Sequence, residues 1–228
     1  MASLNKNSTL GDLQKFIEIV YGESNDRNYS SWDMLSQVQR FIMRGLKGIR
    51  KKNPQKIESN LMIAMSWFVS LMSQMHIDME EEVWKRFPGV CSYCGSCPCK
   101  CAQEKNRRAK KAKIAKTAKR LKISDIQKLF EKIYPLEKRT LSDAGIHLAE
   151  EMGELSEAYM IFRGSHKEDD FSKIKIESAD LLSCLMAVFN SLGISFADKI
   201  SVVFSKNCHI CKKAPCECGF DFVANFKS

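Results

Sequence analysis

The chain repeats itself. Asp12–Tyr21 reads DLQKFIEIVY and Asp125–Tyr134 reads DIQKLFEKIY; five of the ten positions are identical, and most of the others are apolar in both. The correspondence continues. KIES occurs at 56–59 and 175–178, each time before a long apolar run, and IDMEEEVWKRF (77–87) parallels ISFADKISVVF (194–204). Repetition at this length means one supersecondary unit used twice, so whatever one copy folds into, the other should approximate. Within each copy the apolar residues recur at three-and-four spacing, as in Met152, Leu155, Tyr159 and Phe162, and no stretch alternates with period two. The expectation is an all-α fold of two helical-bundle repeats, 10–101 and 123–218, each of about four helical segments. Asp78 and Ser195 are candidate N-caps for the last helix of each copy, with Glu81 and Asp198 three residues on.

The copies end alike. Cys91, Cys94, Cys99 and Cys101 have the spacing Cys-x₂-Cys-x₄-Cys-x-Cys, and so do Cys208, Cys211, Cys216 and Cys218. Four thiolates at short range suit tetrahedral zinc, so each copy is expected to close on a small four-cysteine zinc knuckle. Disulfide or redox use is the alternative. Cys97 is extra, and Cys184 falls in an apolar helix as a small hydrophobe.

The copies differ where chemistry would lie. His147–Phe162 carries Glu150, Glu151 and Glu154, and Lys175–Phe189 carries Glu177 and Asp180. Residues three or four apart share a helix face, so each segment presents a carboxylate stripe. Two such stripes make a cage of hard oxygen ligands, the kind Mg²⁺ or Mn²⁺ prefers. The segment after Asp180, LLSCLMAVF, is apolar around most of its circumference, and burying acids beside it requires a compensating cation. Extending the register without gaps from Asp12 and Asp125 pairs Glu150, Glu151 and Glu154 with Gln37, Val38 and Phe41. The KIES anchor pairs Glu177 with Glu58 and Asp180 with Leu61. The first copy therefore lacks the cage.

Glu-Glu-x-x-Glu, 22 residues, then Glu-x-x-Asp resembles the pattern of the MazG-like, all-α nucleoside triphosphate pyrophosphohydrolases; the likeness covers about residues 123–207. It implies a fused pseudo-dimer with one active and one degenerate half, and Mg²⁺-dependent (or Mn²⁺-dependent) hydrolysis of ribo- or deoxyribonucleoside triphosphates to monophosphate and pyrophosphate. Glu151, Glu154, Glu177 and Asp180 would be the metal ligands, and Glu150 would orient the attacking water. Lys199, Lys206 and Asn207 would contact phosphate. Trp32, Trp67, Arg40 and Arg44 of the first copy are candidates for a wall of the base pocket, and His147 for a substrate contact.

Residues 102–122 hold ten Lys or Arg and one Glu, which accounts for the whole formal net charge of +9; the remainder carries 26 residues of each sign. This Ala- and Lys-rich stretch is expected to be a helical linker, with nucleic-acid contact as the less favoured reading. No P-loop occurs, which argues against a Walker-type ATPase. Apolar runs are too short to span a bilayer, so a cytoplasmic protein without membrane contact is expected. The competing function is a non-catalytic nucleotide- or nucleic-acid-binding zinc protein that uses the linker and the knuckles.

Overall fold

The computed structural model describes residues 2–101, 103 and 120–226. The basic stretch 104–119, and with it most of the expected linker helix, lies outside the described residues. Among those described, the elements are all helical, with no strand. No single helix among them is long and apolar enough to cross a membrane.

The chain divides into two compact units that do not coincide with the repeats. Unit 1 joins Met1–Asp78 to Ser195–Ser228, and unit 2 is Met79–Ile194. Unit 1 thus holds α1 (Leu10–Ile17), a π-helical turn (Glu18–Gly22), α2 (Glu23–Asn28), α3 (Ser31–Arg50) and α4 (Pro54–Gln74). The second repeat completes it with α9 (Phe196–Val203), the Cys208–Cys218 segment and α10 (Phe220–Asn225). Unit 2 holds α5 (Met79–Arg86) and the Cys91–Cys101 segment, both from the first repeat. To these it adds α6 (Ile123–Ile133), α7 (Leu141–Ser165) and α8 (Glu168–Ser191). Each unit therefore packs the last helix and Cys cluster of one repeat against the first three helical segments of the other.

The same contacts fasten both exchanges. In unit 2 the amide of Cys99 donates to the carbonyl of Ile133 at 2.7 Å; in unit 1 that of Cys216 donates to Val20 at 2.7 Å. Within each repeat a side-chain amide ties the first helix to a residue just after the long apolar helix: Gln14 Nε2 donates to Ile77 O and Gln127 Nε2 to Ile194 O, each at 2.8 Å.

Caps and burial fix the true register between the copies. Ser30 and Thr140 cap α3 and α7, with reciprocal bonds to Asp33 and Asp143. From these caps, buried Met34, Leu35, Val38, Ile42 and Gly45 fall on buried Ala144, Gly145, Leu148, Met152 and Leu155. The turn before α3 is three residues longer than its counterpart, and the ungapped register fails there. Glu150, Glu151 and Glu154 therefore correspond to Arg40, Phe41 and Arg44, not to Gln37, Val38 and Phe41. At the next helix, Ile77 and Ile194 bond back to Met72 and Phe189, and burial matches from Ile57 and Ile174 onward. That register is two residues from the KIES match. Glu177 corresponds to Asn60 and Asp180 to Ile63.

Small residues let α3 and α4 approach closely. A Cβ on Gly48 would lie 2.9 Å from Ile57 Cγ1 and 3.0 Å from its backbone nitrogen. Backbone cannot give way cheaply, and overpacking of this kind costs about 1–3 kcal/mol, against about 1 kcal/mol gained from helix propensity. Gly48→Ala is expected to lower the denaturation midpoint. Gly153→Ala, where nothing lies within 4 Å of the new methyl, should raise it. Chemical denaturation of the two variants checks the contrast.

Candidate metal centre

Unit 2 brings the acids together. α7 and α8 pack along their length, and one carboxylate oxygen from each of Glu151, Glu177 and Asp180 lies within 4.8 Å of the others. Asp180 is 5% exposed, and Glu151 Oε2 is buried without a hydrogen-bond partner. An ionised oxygen in that position is costly unless a cation or proton reaches it. Hard oxygens converging from two helices, one of them orphaned, fit a divalent cation.

The other expected acids stand apart from this triad. Glu154 is exposed and acts on the triad through its charge, raising Glu177 and Glu151. Glu150 is exposed, and its Oε2 lies 3.9 Å from His147 Nδ1. Lys199, Lys206 and Asn207 belong to unit 1, whereas the acids belong to unit 2. Lys199 is ion-paired with Glu58 at 2.9 Å, Lys206 is exposed, and Asn207 Nδ2 donates to Lys212 O at 3.1 Å.

One residue at the site was not legible in the sequence. Arg86, the last residue of α5, forks onto Asp180: Nε lies 3.0 and 3.1 Å from the two carboxylate oxygens, and an Nη nitrogen 2.6 Å from one of them. The guanidinium rests on the Tyr93 ring, 5.1 Å from its centroid, and Tyr93 lies inside the Cys91–Cys101 segment. Planar bidentate pairing of this sort is the strong form of a charge-assisted hydrogen bond. The counterpart of Arg86 in unit 1 is Val203, and that of Asp180 is Ile63. The charged pair is absent there as a pair.

The electrostatics follow from three acids and one guanidinium. Burial pushes the Glu151 carboxyl up to about 8, with Asp180, Glu154 and Glu177 adding to it. Burial, then Asp180 and Glu154, raises Glu177 to about 7. Burial also raises Asp180, partly offset by Arg86. Unfolded glutamate titrates at about 4.3, so between that pH and about 7 to 8 these two carboxyls bind more protons in the folded chain than in the unfolded one, and their contribution to stability falls as pH rises. Glu151→Gln mimics the protonated form. In Mg²⁺-free buffer its melting temperature should gain on that of the parent from about pH 5 to about pH 8. Adding Mg²⁺ should reverse the order at the upper end of that range. Thermal melts at fixed ionic strength check this; a difference that does not change with pH would contradict it.

The two four-cysteine groups could each hold zinc. In each, all four sulfurs lie within 4.8 Å of one another. Sulfur–sulfur contacts are 3.7 and 3.9 Å in the first group and 3.5 to 3.9 Å in the second. A ZnS₄ tetrahedron with bonds of about 2.3 Å has edges of about 3.8 Å. Matching backbone amides point at the sulfurs: Lys100 N to Cys94 and Cys101 N to Cys99 in one, Glu217 N to Cys211 and Cys218 N to Cys216 in the other. Hydrogen bonding with Cys216 brings Cys208 down to about 4. At Cys94, burial opposes ionisation, but backbone donors bring it to about 6. Cys97 is exposed and outside the group, and Cys184 is buried in α8.

No protein-family model, curated protein or solved structure matches the chain.

Proposed function

We propose that unit 2 hydrolyses ribo- or deoxyribonucleoside triphosphates to the monophosphate and pyrophosphate, with Mg²⁺ or Mn²⁺ at the acid triad. The observation that carries this reading is the convergence of Glu151, Glu177 and Asp180 within 4.8 Å around a buried, unpartnered Glu151 oxygen. The resemblance of the five-acid pattern to the MazG-like pyrophosphohydrolases supplies the reaction class. When bound, the cation would neutralise charge on the triphosphate oxygens. Glu151, Glu177 and Asp180 would hold it, with Glu154 completing the rim. Glu150, exposed one turn before Glu154, would accept a proton from an attacking water. The absence of a Gly-rich phosphate loop leaves phosphate binding to cation and side chains, which agrees with this chemistry.

A second reading is supported by Arg86. Both oxygens of Asp180 are already engaged by a guanidinium, and a site so compensated can bind a nucleotide or cation without turning it over. The two readings separate in a pyrophosphate-release assay over the ribo- and deoxyribonucleoside triphosphates, with Mg²⁺, Mn²⁺ or EDTA. The hydrolase reading expects metal-dependent release that Glu154→Ala reduces and Asp180→Ala abolishes. No release from any nucleotide by the folded chain would leave the binding reading in possession.

A further inference from the structure

Unit 1 does more than lose the acid cage; it inverts it. At the positions of Glu150 and Glu154 stand Arg40 and Arg44, and at those of Glu151 and Asp180 stand Phe41 and Ile63. A simple loss of function would substitute neutral or apolar residues. Placing two cations where the other copy has two acids changes the sign of the ligand the site prefers.

What the two guanidiniums touch is informative. Arg40 donates to Phe226 O at 2.9 Å, Arg44 donates to the same oxygen at 3.0 Å, and both lie over the Phe41 ring. The other partners of Arg40 are Gln37 Oε1 and, at 3.5 Å, Val223 O. Among the described residues, none of these partners is a carboxylate. Two cations converging on one neutral carbonyl is a weak use of groups that pair best with carboxylate or phosphate. Burial and the adjacent Arg44 also hold the Arg40 guanidinium below its usual range, so an anion there would relieve both.

Phe41 and Phe226, which the arginines contact, also line a cavity of about 80 Å³, together with Tyr29, Ile63, Trp67 and Phe222 and with Cys208, Cys216 and Cys218 of the second cluster. Tyr29 and Trp67 meet edge to face at 5.0 Å. The volume is about half that of an apolar cavity known to take benzene, so a planar heterocycle fits only if Phe222 or Phe226 withdraws. Both belong to one short segment, α10 and the residue after it. That segment offers the site an aromatic ring on one side and an oxygen acceptor on the other, and so imitates a ligand with both.

We propose that unit 1 is a metal-independent binding site for a nucleoside phosphate, with the phosphate on Arg40 and Arg44, the base against Trp67 and Tyr29, and the Phe222–Phe226 segment as the internal occupant that the nucleotide displaces. The site is separate from the acid triad and stands whether or not unit 2 is a hydrolase.

The test uses the full zinc-loaded chain with Glu151→Gln, in buffer free of Mg²⁺ and Mn²⁺, and nucleoside monophosphates as probes, read by tryptophan fluorescence and calorimetry. Substituting Phe222→Ser and Phe226→Ser together should tighten monophosphate binding about tenfold or more. Adding Arg40→Gln and Arg44→Gln should weaken it by at least about tenfold, the worth of charge-assisted bonds. The bare nucleoside should bind far more weakly than its monophosphate, and inorganic phosphate far more weakly still. In the unsubstituted chain, saturating monophosphate should speed hydrogen exchange of residues 220–226. Failure of every monophosphate to bind the opened variant, or binding indifferent to Arg40 and Arg44, would overturn the proposal. So would inorganic phosphate binding as tightly as nucleotide, or exchange at 220–226 that nucleotide leaves unchanged.

Discussion

Replacing Asp180 with isoleucine is expected to cost about 3–5 kcal/mol of folding stability, and replacing Arg86 with valine in the same chain should restore most of it. The Asp180 side chain is 7% exposed and that of Arg86 20%. Removing one partner leaves a charge with little water and without its bidentate partner, whereas removing both leaves apolar side chains in their place. The substitutions are not arbitrary: Ile63 and Val203 occupy the equivalent positions of unit 1, so the fold already tolerates the apolar pair in its other copy. A double-mutant cycle by denaturation reads the coupling directly. Simple additivity would show that Arg86 is solvated and that the fork onto Asp180 contributes little. The cycle also separates structure from chemistry, because the double variant should be stable yet unable to use Asp180 as a metal ligand.

Stripping metal from the Cys clusters should have the larger effect. Structural zinc contributes on the order of 10 kcal/mol per site in small Cys-rich modules, and that binding energy is folding energy. The expected content is two zinc ions per chain by elemental analysis, falling to one in Cys211→Ser and unchanged in Cys97→Ser. Because Cys216 N bonds to Val20 O, loss of the second cluster should loosen the turn after α1. The clamp between Cys99 and Ile133 in unit 2 should stay intact. Hydrogen exchange in the Cys211→Ser variant distinguishes the two ends. A chain that binds no zinc, or that melts at the same temperature after chelation, would contradict the tetrahedral reading of these sulfurs.

The sequence carried the local parts of this structure well. Helical periodicity, the Ser195 cap and the two Cys spacings are determined by neighbours in the chain, and the acids Glu151, Glu177 and Asp180 do meet across two helices. What it did not carry depends on long-range pairing. Nothing local says that α5 packs on α8, so the partner of Asp180 could not be sought in the first repeat. A signal existed only as a mismatch, since Arg86 stands where the twin segment has Val203. The shared KIES tetrapeptide does not mark the structural register: helix length and burial set the register two residues away, and a three-residue difference in the turn before α3 moved the other anchor. Both errors concealed the same fact, that Arg40 and Arg44 occupy the acid positions of the first copy.

The measurement that bears most directly on this account is a Mn²⁺ titration of the zinc-loaded chain, followed by electron paramagnetic resonance. One site per chain beyond the Cys clusters is expected, lost in Glu151→Gln and retained when Arg40 and Arg44 are both replaced by Gln. Arg86→Met should tighten it, since the guanidinium competes for Asp180. No bound Mn²⁺, or binding that survives Glu151→Gln, would contradict the assignment of the triad as the metal centre.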